Sequence, residues 1–139
     1  MSERNFAEVL ERFRTVDFAE RFDLIVAVAN GGIVPAGILA RRLEGESGGV
    51  VEVRLLRINL RDENQRQRYD SPRLLAPIDF DYAGRRVLLV DDRVKSGSTM
   101  RLARELLGEK AAVVRTFAVN GEADYALYNE ECFRFPWII

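Results

Sequence analysis

The stretch Arg86–Thr99, R-V-L-L-V-D-D-R-V-K-S-G-S-T, constrains the fold of this chain more than any other. Val87 to Val90 run apolar without alternation. That pattern suits a strand covered on both faces, as in a parallel sheet flanked by helices. The strand leads directly into two carboxylates, Asp91 and Asp92. They fall at its carboxyl end, where open α/β sheets bind ligands. A short polar turn follows, Lys95-Ser96-Gly97-Ser98-Thr99, and a helical pattern opens near Met100. Such a turn suits a phosphate. The glycine lets the backbone approach, the hydroxyls donate, and the helix N-terminus adds free N–H groups and partial positive charge. Carboxylates beside a phosphate repel it unless a divalent cation or sugar hydroxyls stand between them. The stretch therefore points to a sugar phosphate with magnesium.

Other readings of V-L-L-V-D-D fit less of the chain. A receiver domain places this run near its N-terminus with a phosphoacceptor aspartate well downstream, whereas 47 residues (139 − 92) follow Asp92 here. A nucleotide hydrolase needs a G-x-x-x-x-G-K-[ST] loop, and the sequence contains none. The plain alternative is a buried strand ending in an acidic turn that caps a helix. The whole pattern, however, resembles the phosphoribosyl-pyrophosphate (PRPP) motif of type I phosphoribosyltransferases: a hydrophobic strand, two acids, then Thr/Ser-Gly-x-Thr. Asp91, Asp92, Ser96, Gly97 and Thr99 match it position by position.

The length of 139 residues predicts one domain with a core of its own. A net charge of −1 offers no field for nucleic acid or membrane. No apolar stretch approaches membrane-span length, and Met1-Ser2-Glu3-Arg4 does not read as a signal peptide. The single cysteine, Cys132, excludes an intrachain disulfide and fits a reducing, cytoplasmic setting. Histidine is absent. That excludes Ser-His-Asp and Cys-His catalysis and His-ligated zinc, and leaves acid–base work to Asp, Glu, Lys, Tyr or water.

Phe6, Val9, Leu10 and Phe13 recur at helical spacing, with Ser2 as the expected cap. Asp23 to Ala29 reads as the first buried strand. Asn30-Gly31-Gly32 follows, and Pro35 suits the first turn of a helix running to about Leu43. This is either a second anion site, for a diphosphate, or a tight turn that merely needs glycine. Both glycine loops would lie at the same sheet edge, which favours the first. Gly45 to Gly49 reads as a connection, and Val50 to Ile58 as a partly alternating strand nearer the sheet's edge.

Residues 59–73 break every period, with four arginines and three acids among almost no apolar side chains. Such a loop is either a solvated surface segment with no ligand or a mobile polar hood that closes over the site and excludes water. Leu74 to Tyr82 reads as a short edge strand interrupted by Pro77, and 81–84 as a turn. Leu102, Ala103, Leu106 and Leu107 mark a helix face that Gly108 ends, and Ala111 to Val119 reads as another buried strand. The tail, Phe133-Arg134-Phe135-Pro136-Trp137-Ile138-Ile139, is either a last core strand or a platform for a flat base.

The resemblance extends along nearly the whole chain and implies the rest. A-V-A-N-G-G-I-V-P-A-G is similar to the pyrophosphate loop of the purine branch, with Asn30, Gly31 and Gly32 facing the pyrophosphate. Glu63-Asn64-Gln65-Arg66 resembles the catalytic loop of bacterial xanthine–guanine enzymes, with Arg61, Arg66 and Arg68 in the lid. Phe135-Pro136-Trp137 resembles the end of the short bacterial and archaeal 6-oxopurine enzymes. That alignment puts Cys132 where a tryptophan stacks on the purine, Phe133 beside it, and Ile138 where an acid reads the purine's edge.

The implied fold is α/β of the type I phosphoribosyltransferase kind, a mainly parallel sheet flanked by helices. The implied activity is transfer of the 5-phosphoribosyl group from PRPP to a nucleobase, a purine first, with magnesium and as a homodimer. Asp91 and Asp92 would hold ribose hydroxyls or Mg²⁺, and Lys95, Ser96, Gly97, Ser98 and Thr99 the 5′-phosphate. Asp91, Asp92 and Lys95 are the catalytic candidates. Lys95 stands where 6-oxopurine enzymes carry an aspartate for the base N7 proton, and as a cation it suits the phosphate better. Departures at Asn30, Asn59-Leu60, Lys95, Cys132 and Ile138 surround the site. They point to a different acceptor, or to a non-catalytic PRPP or nucleotide sensor of the same fold.

Overall fold

A computed structural model describes residues 2–59 and 72–138. The hood candidates Arg61, Arg66 and Arg68 lie outside the described residues. Strand β1 (Ser2–Glu3) precedes helix α1 (Phe6–Thr15). Strand β2 (Leu24–Ala29) and helix α2 (Ile33–Ser47) lead to β3 (Glu52–Asn59) and a two-residue β4 (Arg73–Leu74). Then come β5 (Arg86–Val94), α3 (Ser98–Gly108), β6 (Val113–Gly121), β7 (Tyr125–Tyr128) and β8 (Phe133–Arg134).

Among the described residues the main sheet runs in the order β4-β3-β2-β5-β6-β7. Every pair in it is parallel except β3–β4. The chain winds outward from β2 to β3 and β4, then returns to place β5 on the other side of β2 before continuing to β6. The strand order thus reverses between β2 and β5. Such a reversal opens a crevice at the carboxyl ends of the two strands, because their following helices leave to opposite faces.

The continuous apolar runs are explained by this layering. Ile25, Ala27, Leu88 and Val90 face a core built from α1, α2 and the tail, including Phe13, Leu39, Phe133 and Phe135. Leu24, Val26, Val28, Val87 and Leu89 face a second core with Met100, Ala103 and Leu107 of α3. Val87 to Val90 are all fully buried. Each side chain in the run meets a helix layer, so no position is left for a polar residue.

Several boundaries differ from the sequence reading. Asn5 caps α1, its side chain accepting from Glu8 N–H at 3.1 Å, while Ser2 lies in β1. Helix α2 carries on through Gly45 to Ser47, taking in most of the expected connection. Of the strand expected over Leu74 to Tyr82, only Leu74 lies in β4, with the Leu75 N–H adding one bond to Arg57 carbonyl oxygen of β3, and Phe80 and Tyr82 instead pack against the α3-side core. Strand β5 does not stop at the acids but goes on to Val94 beside Gly121 of β6. The short strand β7, parallel to β6, had no periodic signal. The tail forms β8 beside β1, with Phe133 and Phe135 buried, so its aromatic rings belong to the core.

Candidate functional site

Strands β2 and β5 pair from Leu24↔Val87 to Ala27↔Val90, and beyond that point they part. The gap is filled by the glycine loop. Gly32 donates to Val28 carbonyl oxygen at 2.8 Å, and its oxygen accepts from Ala36 N–H at 2.9 Å, which starts α2 directly off the end of β2. The Ala29–Asn30 peptide is cis. A Cβ on Gly31 would stand 2.5 Å from Asp92 Oδ1 and 3.0 Å from Asp91 Oδ1. The glycine loop therefore lies directly against both carboxylates. Nothing larger than a hydrogen fits at Gly31 without moving Asp92.

The two acids are half-buried, and Asp91 Oδ1 accepts from Asp92 N–H at 2.8 Å. Burial, and next the negative charge of Asp92, push the Asp91 carboxyl well above its ordinary range. The Asp92 N–H and the charge of Arg93 oppose that rise without cancelling it. Two crowded carboxylates that resist ionising together are a natural seat for positive charge. Their oxygens are hard donors of the kind Mg²⁺ takes, and among the described residues no group of three acids, cysteines or histidines makes a closed metal cage. That donor set fits a hydrated Mg²⁺ that completes its shell with substrate oxygens.

The raised Asp91 has a consequence for stability. A carboxyl held up in the folded state binds its proton more tightly there than in the unfolded chain. Its contribution is full below the ordinary carboxyl pKa of about 3.9 and is lost as pH rises through the raised value. The ligand-free protein should therefore melt at lower temperature as pH climbs from about 4, and Asp91→Asn should flatten that slope. Thermal melts of both proteins across pH 4 to 8 test this; parallel curves would remove the Asp91 contribution.

Past the acids, the loop turns into α3 at Gly97, whose φ of 82° lies in the left-handed region that favours glycine. Ser96 Oγ sits 3.0 Å from Ser98 Oγ and accepts from Ser98 N–H at 3.3 Å. Gly97 carbonyl oxygen accepts from Arg101 N–H at 2.9 Å, closing the first helical turn. With the Ser98 N–H taken by Ser96 Oγ and the Arg101 N–H by Gly97, the N–H groups of Thr99 and Met100 remain in the first turn of α3 beside two hydroxyls, a geometry that suits a phosphate oxygen. Lys95 is exposed. It lines a cleft of about 370 Å³ beside the start of α3, together with Ser96, Gly97, Arg101 and Arg104.

The sequence-expected base pocket is arranged differently. Phe133 is fully buried, edge-on to Tyr128 at 5.0 Å and to Phe135 at 5.2 Å, and has no face free for a base. Cys132 and Ile138 are exposed. Two residues near them were missed. Arg93 donates to Phe133 carbonyl oxygen at 2.9 Å and lies over the Phe135 ring at 4.9 Å. Buried Asn120, opposite it on β6, donates to the carbonyl oxygens of Glu130 and Glu131 and accepts from Glu130 N–H. The only sequence signal for either was a polar side chain at the end of an apolar strand.

The phosphoribosyl transferase domain model matches residues 3–132. The xanthine-guanine phosphoribosyltransferase of Chromohalobacter salexigens is 33% identical over 121 residues, covering 84% of this chain and 68% of that protein. The crystal structure of a purine phosphoribosyltransferase from Pyrococcus horikoshii superposes with a TM-score of 0.68 at 22% identity, covering 94% of this chain and 85% of that one. A hypothetical protein from Neisseria gonorrhoeae, solved with bound ppGpp, superposes with a TM-score of 0.74 at 16% identity, over 99% and 90% of the two chains. At these identities the two structures speak to the fold.

Proposed function

The chain belongs to the phosphoribosyl transferase domain family and is a phosphoribosyltransferase by that membership; on that premise we propose that it transfers the 5-phosphoribosyl group from PRPP to a nucleobase, a purine first, releasing pyrophosphate. The observation that carries this reading is the convergence at the β2/β5 reversal. Gly31 touches Asp91 and Asp92 from one side, and the same strand runs on into the Ser96–Thr99 turn.

In this reading the α3 N-terminus, Ser96, Ser98 and Thr99 hold the 5′-phosphate, and exposed Lys95 adds its charge from the side. Asn30, Gly31 and Gly32 border the pyrophosphate; the Gly32 N–H is given to Val28 carbonyl oxygen, and the two glycines let the loop sit tight against β2, β5 and the acid pair. Asp91 and Asp92 hold the ribose hydroxyls or Mg²⁺, and both carboxylates converge on the glycine loop, with Oδ1 of Asp92 2.5 Å and Oδ1 of Asp91 3.0 Å from where a Gly31 Cβ would stand. Magnesium, when bound, neutralises charge on the diphosphate.

The chemistry is a displacement at C1 of the ribose. A ring nitrogen of the base forms the new C–N bond as the C1–O bond breaks, and pyrophosphate leaves with the electron pair. The nitrogen's proton passes to solvent or to the leaving pyrophosphate. Catalysis is then mainly positioning and electrostatic stabilisation of a cationic sugar. Return of a free base to the nucleotide pool would make this a salvage reaction.

Pyrophosphate release from magnesium–PRPP is the test, with hypoxanthine, guanine, xanthine, adenine, uracil and orotate as acceptors. Release with a purine is expected. Binding of PRPP with silence across the panel would instead favour a non-catalytic sensor. The feature on that side is Lys95, a cation at the position where the resembling enzymes carry an acid.

A further inference from the structure

Asn129 to Cys132 is an exposed, irregular segment between β7 and β8, and on the proposed reading it is the acceptor-side segment, because it ends in the base-pocket candidate Cys132. Its ties to the sheet are few. Asn120 makes three hydrogen bonds to Glu130 and Glu131, at 3.2, 3.3 and 3.0 Å. Arg93 makes one to Phe133 carbonyl oxygen and stacks on Phe135, which itself stacks on Trp137 at 5.2 Å and 8°. Arg4 pairs with Glu130 from the solvent side. Arg93 and Asn120 are register partners on adjacent strands. Arg93 also lies on the same strand as the acid pair, one residue past Asp92.

A guanidinium is costly to bury, and the Nε of Arg93 is buried without a partner among the described residues. The fold nevertheless keeps it there, between the acids and the 129–133 segment. A purely apolar residue would pack against Phe135 without that cost, so the guanidinium's distinctive contribution is its polar hold on the chain.

We propose that Arg93 is a positioning residue: with Asn120 it latches Glu130–Phe133 to the ends of β5 and β6 and so fixes the acceptor-side segment relative to the acid pair. This deepens the phosphoribosyl-transfer reading and rests on it for its kinetic part. On the proposed reading PRPP is held by Asn30–Gly32 and Ser96–Thr99, which are not part of the latched segment. Loosening the latch therefore displaces the acceptor base and leaves PRPP in place.

Arg93→Lys is the informative variant. It keeps the charge beside Asp91 but loses the planar stack and the forked donor. The expected result is an acceptor KM raised about fivefold to tenfold with PRPP KM within about twofold, the size of one charge-assisted hydrogen bond lost. Amide hydrogen exchange over residues 129–134 should quicken by a similar factor, while β5 and β6 keep their protection. Arg93→Met should raise acceptor KM at least as far. Equal rises in both KM values, or wild-type exchange at 129–134 in Arg93→Lys, would overturn the latch. A wild-type protein silent with every base overturns the transferase reading instead, and exchange measured with magnesium–PRPP then decides the latch by itself. Should Arg93→Met fail to fold, Arg93→Lys carries the decision.

Discussion

Replacing Gly32 with alanine is expected to cost at least about 3 kcal/mol of folding stability, enough to leave a domain of this size largely unfolded or insoluble. The added Cβ would stand 2.2 Å from Val90 carbonyl oxygen and 2.9 Å from both the nitrogen and the oxygen of Val28. All three are backbone atoms of the two central strands, so no side chain can swing aside. Relief requires β2 and β5 to separate, which breaks the pairing from Leu24↔Val87 to Ala27↔Val90 in the middle of the sheet. Gly31→Ala provides the contrast. Its Cβ meets the Asp92 carboxylate at 2.5 Å, a side chain that can rotate away. That variant should stay folded while losing affinity for magnesium–PRPP. Chemical denaturation of both variants, compared with calorimetric PRPP binding by Gly31→Ala, separates the two roles. A Gly32→Ala protein with a wild-type midpoint would show that the strands are not held this close.

The second large effect is expected at the acid pair. Asp91→Asn combined with Asp92→Asn should weaken magnesium–PRPP binding at least tenfold and lower turnover by about a hundredfold or more. The fold should not suffer. Asp91 is buried against its ordinary ionisation and crowded by Asp92, so removing both charges relieves the ligand-free protein. Its melting temperature at neutral pH should rise by about 2–6 °C. Opposite signs for stability and binding are characteristic of a functional pair, because a structural pair loses stability when neutralised. Unchanged PRPP binding in the double variant would sink the assignment of these residues to the site. A fall in melting temperature would move them to a structural role.

How much of this was legible beforehand depended on the range over which each feature is decided. Val87 to Val90 announced a strand covered on both faces because burial on both faces demands an apolar residue at every position. The hydroxyl–glycine turn before Met100 announced a helix start for similarly local reasons, as did the glycine pair after Ala29. Composition alone removed histidine chemistry and disulfides.

Tertiary structure decided what depends on distant partners. Strand β5 continues through two aspartates and an arginine to Val94 because β6 pairs with it there, a pairing no local pattern encodes. The short β7 exists because Asp124 accepts from the backbone N–H of Thr116, and that bond folds the chain back alongside β6. The aromatic tail with Phe133 read from sequence as core ahead of base platform, and the layer of α1 over the sheet assigned Phe133 to the core. The contact of Gly31 with Asp92 joins residues 61 positions apart (92 − 31), and Arg93 reaches 40 positions to Phe133. Sequence determined which residue types were available to the site and the local turns that carry them. The reversal of strand order between β2 and β5 brought those turns to one crevice, because only there do neighbouring parallel strands send their helices to opposite faces.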